Sequence, residues 1–136
     1  MNPGLIMCGI FLSLSSTGQN CPIDDGTRAL LQKRGPDTEC ELSLIIGNYS
    51  LYLCSTVLHM RGDTIVKQPR KSDRFILQWN GEIFDGLDVS HHENDTLSFF
   101  KALHASKDVR AVLSQIKGPW AFCLIDVHFS FSCLFL

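Results

Sequence analysis

Met7-Cys8-Gly9-Ile10 opens the chain's first apolar run, and Trp79-Asn80-Gly81-Glu82-Ile83-Phe84 follows well downstream. Together they read as a nucleophile and its oxyanion hole. A cysteine that follows a methionine can become the first residue of a mature chain, because an initiator methionine is removed before a small residue. Its thiol and its own α-amine then share one atom framework, an activated nucleophile that needs no histidine. In the chain as written Cys8 stands behind seven residues, so that amine is a peptide nitrogen.

Around Cys8, Gly9 to Leu14 is expected to be a core strand, bounded by Ser15-Ser16-Thr17-Gly18. The longer stretch Leu5 to Leu14 has the apolar character of a signal-peptide core but no positive leader, the first basic residue being Arg28. Asp24 and Asp25 precede a helix over Thr27 to Lys33, which Gly35-Pro36 stops. Strands over Glu41 to Ile46 and Tyr49 to Leu58 flank a turn at Gly47-Asn48. In the second, Leu51, Leu53, Ser55 and Val57 share one face, while Tyr52, Cys54 and Thr56 share the other.

Gly62 to Asp73 reads as a polar loop and Arg74 to Trp79 as a strand, which Asn80-Gly81 is expected to turn into Glu82-Ile83-Phe84 as a hairpin. Asp85-Gly86 reads as a second turn. Asn94-Asp95-Thr96 caps a helix with Leu97, Phe99, Phe100 and Leu103 inward. A further helix over Val109 to Lys117 ends at Gly118-Pro119, and Trp120 to Val127 with Phe129 to Leu136 form a last strand pair. This order is that of an α+β domain.

At 136 residues, with 45 % hydrophobic and 19 % charged residues, the chain fits one globular domain. Its formal net charge of -2 gives no electrostatic reason to expect nucleic acid, and Lys67, Arg70, Lys71 and Arg74 read as a solvated loop. The six cysteines form no Cys-x-x-Cys pair and no Cys/His cluster of zinc spacing, so no metal is expected. Cys54 and Cys123 sit in apolar runs, as small hydrophobes do. His91-His92 reads as a solvated pair. A reducing, cytoplasmic setting follows, and no apolar run is long enough to imply a membrane span. Asn48-Tyr49-Ser50, Asn94-Asp95-Thr96 and Arg61-Gly62-Asp63 are too short to carry a glycosylation or adhesion reading.

Met7-Cys8-Gly9-Ile10, Arg34-Gly35-Pro36-Asp37, Asn80-Gly81-Glu82-Ile83 and Asn94-Asp95-Thr96, taken in order, resemble the class II glutamine amidotransferase domain, and more narrowly the glutaminase half of asparagine synthetases. The likeness covers about residues 7 to 127. It implies residues 1–6 as an N-terminal extension and 7–136 as one such domain, an N-terminal-nucleophile αββα sandwich. The family continues past its last strand into a Gly-Arg-Asp-x-x-Gly segment. This sequence ends in Cys133-Leu134-Phe135-Leu136, as expected of a domain incomplete at its C-terminus, a shortened isoform.

The activity implied is hydrolysis of glutamine to glutamate and ammonia, in the context of asparagine biosynthesis. Cys8 would attack the amide, and Asn80 and Gly81 would hold the oxyanion. Glu82 would line the substrate pocket, Asp95 would bind the glutamine α-ammonium, and Arg34 would pack near the site. The family's carboxylate-clamping arginine falls at Val57, which cannot make a bidentate pair, and Arg61 is the candidate substitute. The partner beyond glutamine would be a synthetase domain in a longer form. ATP and magnesium belong to that domain, whose Ser-Gly-Gly-x-Asp loop does not occur in these 136 residues, so no cofactor is expected here. Val57 and the blocked amine support an alternative reading, an inactive interaction or regulatory domain of the same fold, and the ending in Cys133-Leu134-Phe135-Leu136 a further one, a non-functional truncated isoform.

Overall fold

The computed structural model describes residues 7–16, 18–106, 108–128 and 132–135. The N-terminal extension 1–6, Thr17 of the first turn signal, and parts of the last expected strand (129–131 and 136) lie outside them. Two antiparallel sheets carry the chain. The first has three strands in the order β1 (Gly9–Ser15), β3 (Tyr49–Val57), β2 (Thr38–Ile46). The second has four, in the order β4 (Arg70–Lys71), β5 (Phe75–Gly81), β6 (Trp120–Asp126), β7 (Ser132–Phe135). Helices α1 (Asp25–Arg34), α2 (Asp95–Ala105) and α3 (Val109–Leu113) complete it. The α+β expectation holds.

Period-two alternation sorts the strands into layers. Leu51 and Leu53 of β3 meet Ile76, Cys123 and Ile125 of the second sheet, with Leu12, Leu42 and Leu44 packed against them. The opposite face of β3 sends Tyr52 and Cys54 against Ile23 and Leu31 on the α1 side. On β5, Phe75, Leu77 and Trp79 point away from the first sheet and join Phe99, Phe100 and Leu103 of α2 and Val112 and Leu113 of α3. Every residue of β3 after Tyr49 is therefore buried, from both sides at once. Such apolar area stabilises by roughly 25 cal/mol per Å² removed from water.

A polar side chain crosses between the sheets. Gln78 is fully buried, and its Nε2 reaches Phe11 O (3.2 Å), Cys54 O (2.9 Å) and Ser55 Oγ (2.8 Å) of the first sheet. It fixes β5 against β1 and β3 close to where the site forms.

The turn at Gly47-Asn48 is as expected, with Ile46 opposite Tyr49 in register. The α1 cap is Asp24, whose carboxylate accepts from Thr27 N (2.9 Å). Asn94 caps α2, its Oδ1 accepting from Thr96 N (2.8 Å). Within α2 the buried positions are Phe99, Phe100 and Leu103 together with Asp95, Thr96 and Ser98, while Leu97 is half-buried. The helix expected to reach Lys117 stops at Leu113, because Lys117 is taken into a bridge with Asp85. The loop Gly62 to Asp73 contains the short strand β4, paired with Leu77 and Ile76. Ser132–Phe135 pairs with Cys123–Asp126, in line with the expected last strand pair.

The hairpin expected at Asn80-Gly81 is not formed. Both residues are the last of β5, opposite Ala121 and Trp120 of β6, and Glu82-Ile83-Phe84 is not a strand. An Asn-Gly hairpin turn needs positive φ at both residues, and Gly81 is not among the positive-φ glycines. Its missing Cβ serves a close approach instead: a Cβ there would lie 2.6 Å from Pro119 O and from Trp120 Cβ. Glu82 N donates to Pro119 O (3.0 Å) and Phe84 N to Lys117 O (2.8 Å), so the segment leaves the strand tied to the α3–β6 connection.

Gly86 secures the other side of that connection. Its φ is 96°, and a Cβ there would lie 1.6 Å from Gln115 O. Gly86→Ala is expected to destabilise the fold by more than about 3 kcal/mol, combining left-handed strain with a backbone clash. A shift of the urea-unfolding midpoint relative to the parent chain checks it.

Candidate functional site

Two strand ends meet at one rim of the gap between the sheets. Cys8 immediately precedes β1, and alternation with Ile10 and Leu12 aims it into the gap. Asn80, next to last in β5, lies on the same face as Ile76 and Gln78, again toward the gap. A cavity of about 220 Å³ opens there, and Cys8, Asn80, Gly81, Val57, Arg61, Glu82 and Asp95 all line it. Of the site residues expected from sequence, only Arg34 does not, and it acts from behind: its Nε donates to Cys8 O (3.4 Å).

The thiol is seated on the end of β3. Leu58 N donates to Cys8 Sγ (3.4 Å), and Sγ lies 3.8 Å from Leu58 O. Burial raises the Cys8 pKa above the ordinary thiol value, against the opposing pull of the Leu58 hydrogen bond and of Arg34. The neutral thiol is thus the resting form at neutral pH. Arg34-Gly35-Pro36-Asp37 straps the strand end that holds it. Pro36 bridges Val57, Asp37 N donates to Val57 O (3.0 Å), and His59 N donates to Asp37 Oδ2 (2.6 Å).

Opposite the thiol, the oxyanion candidates rest on buried supports. Trp79 N donates to Gln68 Oε1 (2.5 Å), and Gln68 Nε2 donates to Thr96 Oγ1 (3.2 Å) at the start of α2. The Trp79 indole N–H donates to Gly81 O (3.2 Å). Asn80 Oδ1 is buried with no hydrogen-bond partner among the described residues. Such an orphaned acceptor costs about 1–3 kcal/mol, and Gln78 Oε1 and His59 Nδ1 are buried without a partner among the described residues as well.

The cavity's charged side is a network. Asp95 is 5 % exposed; its Oδ1 pairs with Arg61 Nη1 (2.8 Å) and its Oδ2 accepts from Ile83 N (3.2 Å). Arg61 also donates to Ile83 O (3.0 Å) and Val89 O (3.2 Å). Burial raises the Asp95 pKa, opposed by the Ile83 N–H and by Arg61. Asp95 is the first residue of α2 and lines the cavity. Val57 is 2 % exposed and offers an apolar surface where the resemblance leads one to look for arginine.

Sequence reasoning did not single out Gln68, Leu58, Met60, Phe84 or Thr96, which also line the cavity. Gln68 stands in an aperiodic loop, and Leu58 acts through its backbone, so neither leaves a motif. Met60 and Phe84 are apolar yet 64 % and 70 % exposed.

Glu39, Glu41 and Cys54 bring metal-type donor atoms within 4.8 Å of one another on the α1 side of the first sheet. The Arg28 guanidinium pairs with both carboxylates and reaches Tyr52 Oη (3.1 Å), so that cluster already carries its counter-charge. His91 and His92 are exposed, with His92 Nδ1 2.8 Å from Asp63 Oδ2. Among the described residues no helix is long and apolar enough to cross a membrane.

The chain is similar to curated proteins called asparagine synthetase domain-containing protein 1. It is 35 % identical over 122 residues to that of Bos taurus and 34 % identical over 122 residues to that of Homo sapiens, each alignment covering 85 % of this chain and 19 % of the relative. Asparagine synthetase domain-containing protein CG17486 of Drosophila melanogaster is 26 % identical over 129 residues, covering 88 % of this chain and 22 % of the relative. The chain spans about a fifth of the length of the curated relatives it matches. No family model matches it, and no solved structure does.

Proposed function

We propose that this chain, a homologue of the asparagine synthetase domain-containing proteins, is a glutaminase domain that hydrolyses the glutamine side-chain carboxamide to a carboxylate and ammonia. The observation that carries the reading is the convergence of Cys8, Asn80, Gly81 and Asp95 on one cavity. A helix, two facing antiparallel sheets and a second helical layer, with a cysteine at the start of the first strand, support an N-terminal-nucleophile sandwich over residues 7–136.

In this reading the Cys8 sulfur attacks the amide carbon, and a freed Cys8 α-amine takes the thiol proton. The negative charge that develops on the amide oxygen is met by the Asn80 side-chain N–H and the Gly81 backbone N–H, whose geometry is set before the reaction. The amine then passes its proton to the departing nitrogen, ammonia leaves, and water cleaves the thioester to regenerate the thiol. A cavity of about 220 Å³ is sized for a small polar molecule. In the longer relatives' context the ammonia would be handed to a synthetase domain.

Ammonia release from L-glutamine by a chain beginning at Cys8, beside the same chain carrying Cys8→Ala, tests the proposal. The thiol form is expected to release ammonia and the alanine form none above background. Equal rates overturn it. The paired state of Arg61 and the valine at position 57 favour a second reading, a non-catalytic binding module of the same fold. Glutamine binding without turnover by the Cys8-beginning chain would favour that one.

A further inference from the structure

The charge inventory of the cavity narrows the substrate beyond glutamine itself. Of the side chains that line it, Arg61, Glu82 and Asp95 are the charged ones. Arg61 is engaged by Asp95 and by the carbonyls of Ile83 and Val89. Glu82 has no cationic partner among the described residues. In the 136-residue chain, where the Cys8 nitrogen is an amide, the lining side chains therefore carry one uncompensated negative charge and no unengaged cation. An α-carboxylate brought into it meets a like charge, whereas an α-ammonium is attracted. Free glutamine carries both groups.

A second observation concerns the rim. Met60 and Phe84 line the cavity while remaining 64 % and 70 % exposed, an apolar shelf at its mouth. A bare amino acid leaves such a shelf uncovered, and a following apolar residue covers it.

Resting on the reading that Cys8 hydrolyses a glutamine side-chain amide, we infer that the preferred substrate is glutamine at the amino terminus of a peptide. Its α-ammonium is free, and its α-carboxyl is masked as a peptide bond. Glu82 and the Asp95 edge attract the ammonium, and Met60 with Phe84 receives the second side chain. The reaction balances as before. A carbon–sulfur bond forms at the side-chain carbonyl, the carbon–nitrogen bond breaks with a proton delivered to ammonia, and water returns the thiol and leaves an amino-terminal glutamate.

Isothermal titration of the 136-residue chain with four ligands tests this without requiring turnover. L-glutaminyl-L-leucinamide and L-glutaminamide are expected to bind at least about tenfold more tightly than L-glutamine and Nα-acetyl-L-glutaminamide, the cost of a misplaced like charge or a lost ion contact. The leucine-bearing ligand is expected to bind most tightly. Equal affinity for L-glutamine and L-glutaminamide, or no effect of acetylation, overturns the inference. In Glu82→Gln the gap between L-glutaminamide and L-glutamine is expected to shrink to within about threefold; an unchanged gap overturns the role given to Glu82. The expected order of affinities without ammonia release by a chain beginning at Cys8 overturns the hydrolytic reading and leaves the ligand assignment standing. Turnover of L-glutamine with the reverse order, or binding of none of the four, overturns the ligand assignment alone. Mass spectrometry of the reacted peptide separates the glutamate product from the pyroglutamate that uncatalysed cyclisation gives.

Discussion

A chain that begins at Cys8 is expected to release ammonia from glutamine about 10²- to 10⁴-fold faster than the chain that begins at Met1, the range lost when a general base is removed. The reason lies in the thiol's surroundings. Burial raises its pKa, and the Leu58 N–H and the Arg34 charge offset this only in part, so little thiolate exists at neutral pH. None of the chain's five histidines lines the cavity. In the proposed mechanism the proton goes to a group carried by Cys8 itself, and a free α-amine with a pKa of about 7.7 to 8.0 suits it. With residues 1 to 7 attached, the same nitrogen is an amide with no basicity to offer. The sign of the pH dependence follows. Activity of the Cys8-beginning chain is expected to rise with pH as the amine loses its proton, with the midpoint of kcat/KM near that amine's pKa. The Met1-beginning chain is expected to show no such limb, rising only as pH approaches the elevated thiol value. Equal rates and superimposable profiles would place the base elsewhere.

The layers that build this site were legible because they follow periodicity. The two faces assigned to β3 are those the structure buries, Leu51 and Leu53 toward the second sheet and Tyr52 and Cys54 toward α1. The Asn94 cap was legible because short polar side chains satisfy helix N–H groups locally. Asn80-Gly81 misled for a physical reason. The turn signal is local, but here Gly81 answers a distant demand, the approach of Pro119 and Trp120. Asn80 reached the cavity all the same, because a strand end aims a side chain as well as a turn does. Arg61 and Asp95 are 34 residues apart, and nothing short-range announces that they pair. Gln68 was invisible for a similar reason. It serves the backbone of Trp79 from an aperiodic loop, a role that composition does not mark.

The same architecture decides what losing Asn80 should do. Asn80→Ala, in a chain beginning at Cys8, is expected to lower kcat about 10²- to 10³-fold while KM changes little, as when one oxyanion donor is removed elsewhere. The separation follows from where the charge appears. The amide oxygen of the ground state is neutral, and only the tetrahedral intermediate carries the negative charge that the donor stabilises. Backbone damage would blur this split, but β5 is held independently of the Asn80 side chain. Trp79 N rests on Gln68, the Trp79 indole on Gly81 O, and Gln78 ties the strand to the first sheet. Removing the Asn80 amide also deletes a buried oxygen that has no partner among the described residues, so stability is expected to hold or rise slightly. A variant that unfolds at the parental urea concentration yet loses kcat places Asn80 at the reacting oxygen. A rise in KM with kcat intact would instead make it a contact for bound substrate.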